Sequence, residues 1–188
     1  MTNDTQFSDQ IASFLAAFKD NPANAQLIAM AKNTDWAKAS FEQREAVLNS
    51  FFAAPEIAAA VETSRSNGYN SNGIGGLVSA SLIIGGGGGG GALSDSGETK
   101  GVGFAFGSAG ASIGISADFL FISYRARPSE FYGLFHGAFA NIHIVPGIGV
   151  YTAHLGAGWD PKWECFIWAV GIGIGGGAAG FVGGAWQS

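Results

Sequence analysis

The chain has a single cysteine, Cys165, in 188 residues, so no disulfide can form within it. That suits a chain maturing in a reducing compartment or one that needs no covalent staples. Basic residues are scarce and scattered: nine Lys and Arg against fourteen Asp and Glu give a net charge of −5. Nucleic acid needs a basic face to displace counterions, so it is excluded as a partner. The same shortage argues against electrostatic docking to an anionic membrane, though not against apolar insertion. Residues Met1–Gln10 carry Asp4 and Asp9 and no basic residue, unlike a secretory signal. The expectation is secretion without a recognisable signal peptide, or a cytoplasmic location.

Glycine is absent from residues 1–67, although the chain contains 31. Charge is distributed the other way, with 13 of the 23 charged side chains in those 67 residues. The contrast predicts an α+β protein: a short helical N-terminal segment, 1–67, followed by a glycine-rich antiparallel β-barrel of about eight strands, 68–188.

In the first segment Ser8 reads as a helix N-cap, with Ile11, Phe14, Leu15 and Phe18 on one helical face. Asp20-Asn21-Pro22 breaks that helix and starts another, whose apolar side holds Ala25, Leu27, Ile28 and Met30. Ser40 and Gln43 have capping-box spacing ahead of Val47, Phe51 and Phe52, and Pro55 opens a last helix through Ile57, Ala60 and Val61. Four short helices bury little alone, which predicts a compact helical subdomain or helices lying on the β half. Ser64 to Asn72 is polar and turn-rich and reads as the linker.

Beyond it, apolar residues alternate with glycine and alanine. Gly85 to Gly91 is unbroken glycine, without the lysine of a phosphate-binding loop. Val102, Phe104 and Phe106 alternate in one phase, and Ile113, Ile115, Ala117, Phe119 and Phe121 in another. The Gly107–Gly110 step between them predicts a bulge or barrel corner. Pro146-Gly147 and Trp159–Lys162 are turn signals. From Trp168 the alternation Trp168, Val170, Ile172, Ile174 predicts one closing ribbon. Residues 165–188 contain no charge and several small-xxx-small spacings, which a membrane helix would also show. The strict alternation and the glycine content favour strands.

No residue constellation specifies catalysis, a cofactor or a metal. His136, His143 and His154 match no common zinc spacing. Cys165, inside an aromatic strand, reads as a small buried hydrophobe, although a thiol triad with His136 or His154 and Asp118 or Asp160 is conceivable if the fold joins them. Asp118 is a lone carboxylate in an apolar strand, for which pairing with Arg125 or Arg127 is expected.

The glycine-rich strands, His136-Gly137 within an aromatic strand and the ending Gly183-Gly184-Ala185-Trp186 resemble the virulence-associated proteins of the VapA type over about residues 74–188. The resemblance implies a small secreted eight-stranded barrel acting on host membranes or compartments. It transfers no functional residue. The helical segment departs from that family. The expected function is that of a non-enzymatic secreted effector or virulence-associated protein, acting at a lipid membrane or on a protein partner, with self-association left open. A pore-forming toxin is its sharper form, with the three histidines tuning insertion to acidic pH. The alternative is a soluble barrel binding a small apolar ligand.

Overall fold

The computed structural model describes residues 2–80, 85–95, 102–112, 117–128, 133–145, 147–156, 164–171 and 177–186. Four α-helices come first: α1 (Thr2–Asp20), α2 (Ala25–Asn33), α3 (Phe41–Phe52) and α4 (Pro55–Ser66). Eight strands follow among the described residues: β1 (Ser71–Ala80), β2 (Gly85–Asp95), β3 (Val102–Ser112), β4 (Ala117–Tyr124), β5 (Gly133–Val145), β6 (Ile148–Gly156), β7 (Glu164–Val170) and β8 (Gly177–Trp186).

The helix boundaries follow local chemistry. Asn21 Oδ1 accepts from the Ala23 amide at the start of a single 3-10 turn, Pro22–Asn24, that joins α1 to α2. Ser40 and Gln43 form both bonds of the capping box: the Gln43 amide donates to Ser40 Oγ at 3.3 Å, and the Ser40 amide donates to Gln43 Oε1 at 2.8 Å. Ser8, expected to cap α1, lies inside it. The helix begins at Thr2, and Ser8 is buried, its carbonyl accepting from Trp168 Nε1 at 3.3 Å. The linker is also shorter than the polar run suggests. Helix α4 continues through Ser64, which is buried against the barrel, and only residues 67–70 turn the chain. Gly68 supplies the left-handed step (φ +85°), and the Tyr69 amide closes onto the Ser64 carbonyl at 3.1 Å.

All eight strand pairings are antiparallel and run in the order β1-β2-β3-β8-β5-β6-β7-β4, with β4 returning to β1 to close the barrel. Closure leaves no free edge. The bulge expected at 107–110 is absent: β3 keeps one register with β2 and β8 throughout. The change of phase there is a change of strand, because β3 ends at Ser112 and β4 begins at Ala117. Register shifts fall instead at Gly75/Leu77 in β1 and at Asn141/His143 in β5. The single closing ribbon is likewise two strands. Strand β7 ends at Val170, and Gly171, with φ +90°, leaves the strand conformation that a side-chain-bearing residue would hold. Ile172 and Ile174 lie outside the described residues.

Two apolar clusters divide the side chains. Leu93, Val102, Phe104, Leu120, Ile122, Tyr124, Cys165 and Ala185 form one. It joins β3 and β8 to β4 and β7, which are not neighbours in the wall and can meet only across the interior. The second is larger and unites Phe7, Ile11, Leu15 and Phe18 of α1, Phe51 of α3 and Ile57 of α4 with Phe119, Phe121, Trp168 and Val170 of the strands. These strand residues point away from the interior. The helices therefore lie on the outside of the barrel, along the arc β2-β1-β4-β7-β6.

Candidate functional site

The outer surface carries a cleft of about 410 Å³ where the connection from α2 to α3 crosses the glycine ladder of β1 and β2. Lys32, Thr34, Asp35 and Trp36 form the helical side, and Gly76 with Gly88 to Gly90 forms the floor. Two glycines of that floor lie tight beneath Trp36. A Cβ on Gly90 would lie 2.8 Å from Trp36 Cβ, and one on Gly76 would lie 3.2 Å from Trp36 Nε1. The same arrangement recurs on the other side of β2, where a Cβ on Gly103 would lie 2.7 Å from Arg44 Nε. Helical side chains here reach the barrel backbone itself.

The polar groups around the cleft are engaged. Trp36 Nε1 donates to the Ala31 carbonyl at 3.1 Å, Thr34 Oγ1 to the Met30 carbonyl at 2.7 Å, and Lys32 Nζ to Asp118 Oδ1 at 2.8 Å. Asp35 pairs with Lys38 at 2.9 Å, and this partner holds its carboxyl below the usual range. The cleft offers shape and a bare backbone floor. It brings together no nucleophile and base.

The residues singled out by sequence are dispersed. Asp118 is paired, but with Lys32 of α2 across the outer surface; the helix brings a cation closer than the expected Arg125 or Arg127. Cys165 is buried in the interior cluster, its Sγ donating to the Phe166 carbonyl at 3.7 Å. Burial raises the pKa of its thiol far above the ordinary value, so it stays protonated and a poor nucleophile. Cys165 lies opposite Tyr124 on β4, six residues from Asp118, which is about 20 Å along a strand. A triad containing both is excluded. His136 lies opposite Gly156 and Val182, His143 opposite Val150, and His154 opposite Ala138 and Glu164. The histidine side chains, and Asp160, lie outside the described residues. Among the described residues no three His, Cys, Asp or Glu side chains gather as metal ligands, and no helix is long and apolar enough to cross a membrane.

The structure assigns weight to residues the sequence reading passed over. Ser64 Oγ on α4 lies 2.7 Å from Ser123 Oγ on β4, and Ser123 Oγ donates to Asn72 Oδ1 at 3.3 Å, all three residues buried. Arg44 is fully buried against β3, donating Nη1–H to the Ala39 carbonyl at 2.7 Å. Burial lowers its pKa against the opposing pull of Glu42. A serine in an otherwise apolar strand, and an arginine on the buried side of a helix, were the available signals.

No protein-family model matches the chain, and no curated protein matches it. Among solved structures it is similar to a beta-barrel-like, uncharacterized protein from Brucella abortus, at 15% identity and a TM-score of 0.43, over 80% of this chain and 96% of that one.

Proposed function

We propose that this chain is a non-enzymatic, effector-type protein that acts at a lipid surface through its barrel wall. The observation that carries the reading is the composition of the wall. Strands β3, β5, β6 and β8 contain no Asp, Glu, Lys or Arg along their whole length. On β4 Leu120 and Ile122 are buried inside, and Phe119 and Phe121 are buried outside beneath the helices. A barrel whose outside meets only water alternates apolar with polar. Secretion and the likeness to virulence-associated proteins belong to the same reading.

The packed interior weighs against two neighbouring ideas. A water-filled pore needs a polar lumen, and a carrier of a small apolar ligand needs a cavity. Leu93, Val102, Phe104, Leu120, Ile122 and Tyr124 provide neither at their end of the barrel. The test is flotation of the purified protein with liposomes at neutral and mildly acidic pH, with dye release followed in the same tubes. Co-flotation without leakage is the expected result. Leakage would move the reading to a pore-forming toxin, and absence of association at both pH values would overturn it in favour of a protein partner or a ligand.

A further inference from the structure

We infer that the cleft over β1 and β2 binds a small zwitterion with a flat apolar side chain, the chemistry that an aromatic amino acid presents. The inference goes beyond the lipid reading and does not depend on it.

Two backbone devices build the charged end of the site. Gly75 pairs with Leu120 and Leu77 with Ala117, so two steps along β1 face three along β4. The extra residue makes a β-bulge, with Asp118 and Phe119 together facing Gly76. In a regular strand these two neighbours would face opposite sides of the wall. Here Phe119 packs beneath the helices, and Asp118 reaches Lys32 on the same outer surface. Gly171, at φ +90°, leaves the space that the carboxylate fills, because a Cβ there would overlap Asp118 Oδ2. The result is a cation and an anion 2.8 Å apart, with Lys32 itself lining the cleft. An α-ammonium and an α-carboxylate on one carbon are the complement of that pair: the carboxylate meets Lys32 Nζ and the ammonium meets Asp118. The two side chains are 59% and 36% exposed, and an exposed pair contributes little stability of its own, so a ligand opens it at little cost.

The apolar end is the floor. Gly76 and Gly90 are pressed by Trp36, whereas Gly88 and Gly89 are half-buried strand backbone at the cleft. Gly88 pairs with Gly107, which is exposed and whose Cβ would meet nothing within 4 Å. No neighbour at Gly107 excludes a side chain, so packing within the chain does not account for the bare wall beside the cleft. Glycine inside a strand weakens it, and it recurs where a ligand or another backbone approaches closely. The cleft volume of about 410 Å³ falls within the range of about 300–1,000 Å³ typical of small-molecule sites. Bare strand backbone is a seat for a planar ring, with Trp36 as its side wall. The other carboxylate lining the cleft, Asp35, is held by Lys38, which leaves the Lys32–Asp118 pair to orient the ligand.

The test is calorimetric titration with L-phenylalanine, beside 3-phenylpropionate, phenethylamine and L-alanine, which lack the ammonium, the carboxylate and the ring in turn. Phenylalanine is expected to bind roughly tenfold or more tighter than each of the three. It should also shift the Trp36 indole and Gly88–Gly90 amide resonances in NMR spectra. Lys32→Gln and Asp118→Asn should each weaken phenylalanine by roughly tenfold while leaving the thermal midpoint nearly unchanged, because the pair is exposed. Where Asp118→Asn disturbs the bulge and the fold, Lys32→Gln at the exposed end of α2 carries the comparison. Affinity unchanged in Lys32→Gln, or equal for phenylalanine and either singly charged analogue, overturns recognition of the zwitterion. Equal affinity for alanine overturns the floor as the seat of a ring, and no binding of phenylalanine at millimolar concentration overturns the site. Each of these results leaves the flotation test of the lipid reading untouched.

Discussion

On β4 and β7 the wall itself supplies the bulk: Phe119, Phe121, Phe166, Trp168 and Val170 project outward and the helices stand off against them. On β1, β2 and β3 the wall is glycine where the helical side presses closest, and there Trp36 and Arg44 reach down to the backbone. The two regions fill the same space from opposite sides. Aromatic strand residues meet aromatic helix residues, Phe7, Phe18 and Phe51, on one flank, and large helical-side residues meet bare strand on the other. Glycine in this barrel is therefore of two kinds: positions where a side chain is excluded by a neighbour, and positions such as Gly107, where a Cβ would meet nothing within 4 Å.

Substitutions break this comparison in a graded way. Trp168→Ala removes a fully buried ring packed on Phe7, Phe121 and Phe166, and should cost about 3–5 kcal/mol in urea unfolding. Gly91→Ala places a methyl against the Ile74 carbonyl and 2.8 Å from Phe104 Cζ, and should cost about 1–3 kcal/mol as overpacking. Gly107→Ala, on the same glycine-rich wall, should change stability by no more than about 0.5 kcal/mol. Equal losses at Gly91 and Gly107 would erase the distinction between the two kinds of glycine. Ser123→Ala strips a hydrogen-bond partner from buried Ser64 and Asn72 and should cost about 1–3 kcal/mol, with Ser64→Ala adding little in the double variant.

Cys165 gives the comparison a pH axis. Its folded-state pKa is raised by burial, so above the unfolded value of about 8.5 the unfolded chain loses a proton that the folded chain keeps. Stability should fall as pH rises past that point, by up to about 1.4 kcal/mol per pH unit, and Cys165→Ala should remove that part of the decline. The smallest effect belongs to Lys32→Ala. Its side chain is 59% exposed, so loss of the pair with Asp118 should cost less than about 1 kcal/mol and vanish in high salt.

How much of this was legible varies with the physics. The glycine boundary near residue 68, the capping box at Ser40 and the alternation along β3, β4 and β7 are local signals, and they located helices and strands directly. Strand limits were misread where a period continued across a turn, as from Trp168 toward Ile174, because alternation records which way residues point and not where pairing stops. The outward direction of Trp168 and Phe121 was hidden for a different reason. A strand apolar on both faces does not say which face is inside, and only the covering helices decide it. The cleft over Gly88–Gly90 and the Ser64–Ser123–Asn72 chain bring together residues dozens of positions apart, and no local pattern encodes such meetings. Asp118 was rightly singled out as needing a partner. The partner came from the helical half, 86 residues away, which spacing along the strand could not reveal.

Amide hydrogen exchange with and without vesicles tests the central claim most directly, because it reads helices and barrel separately in one sample. The account predicts that the uncharged wall strands β3, β5 and β8 gain protection on vesicles while α1 and α4 keep theirs. Protection of β3, β5 and β8 that is unchanged on vesicles carrying bound protein would contradict it, since the wall would then not be what meets the lipid.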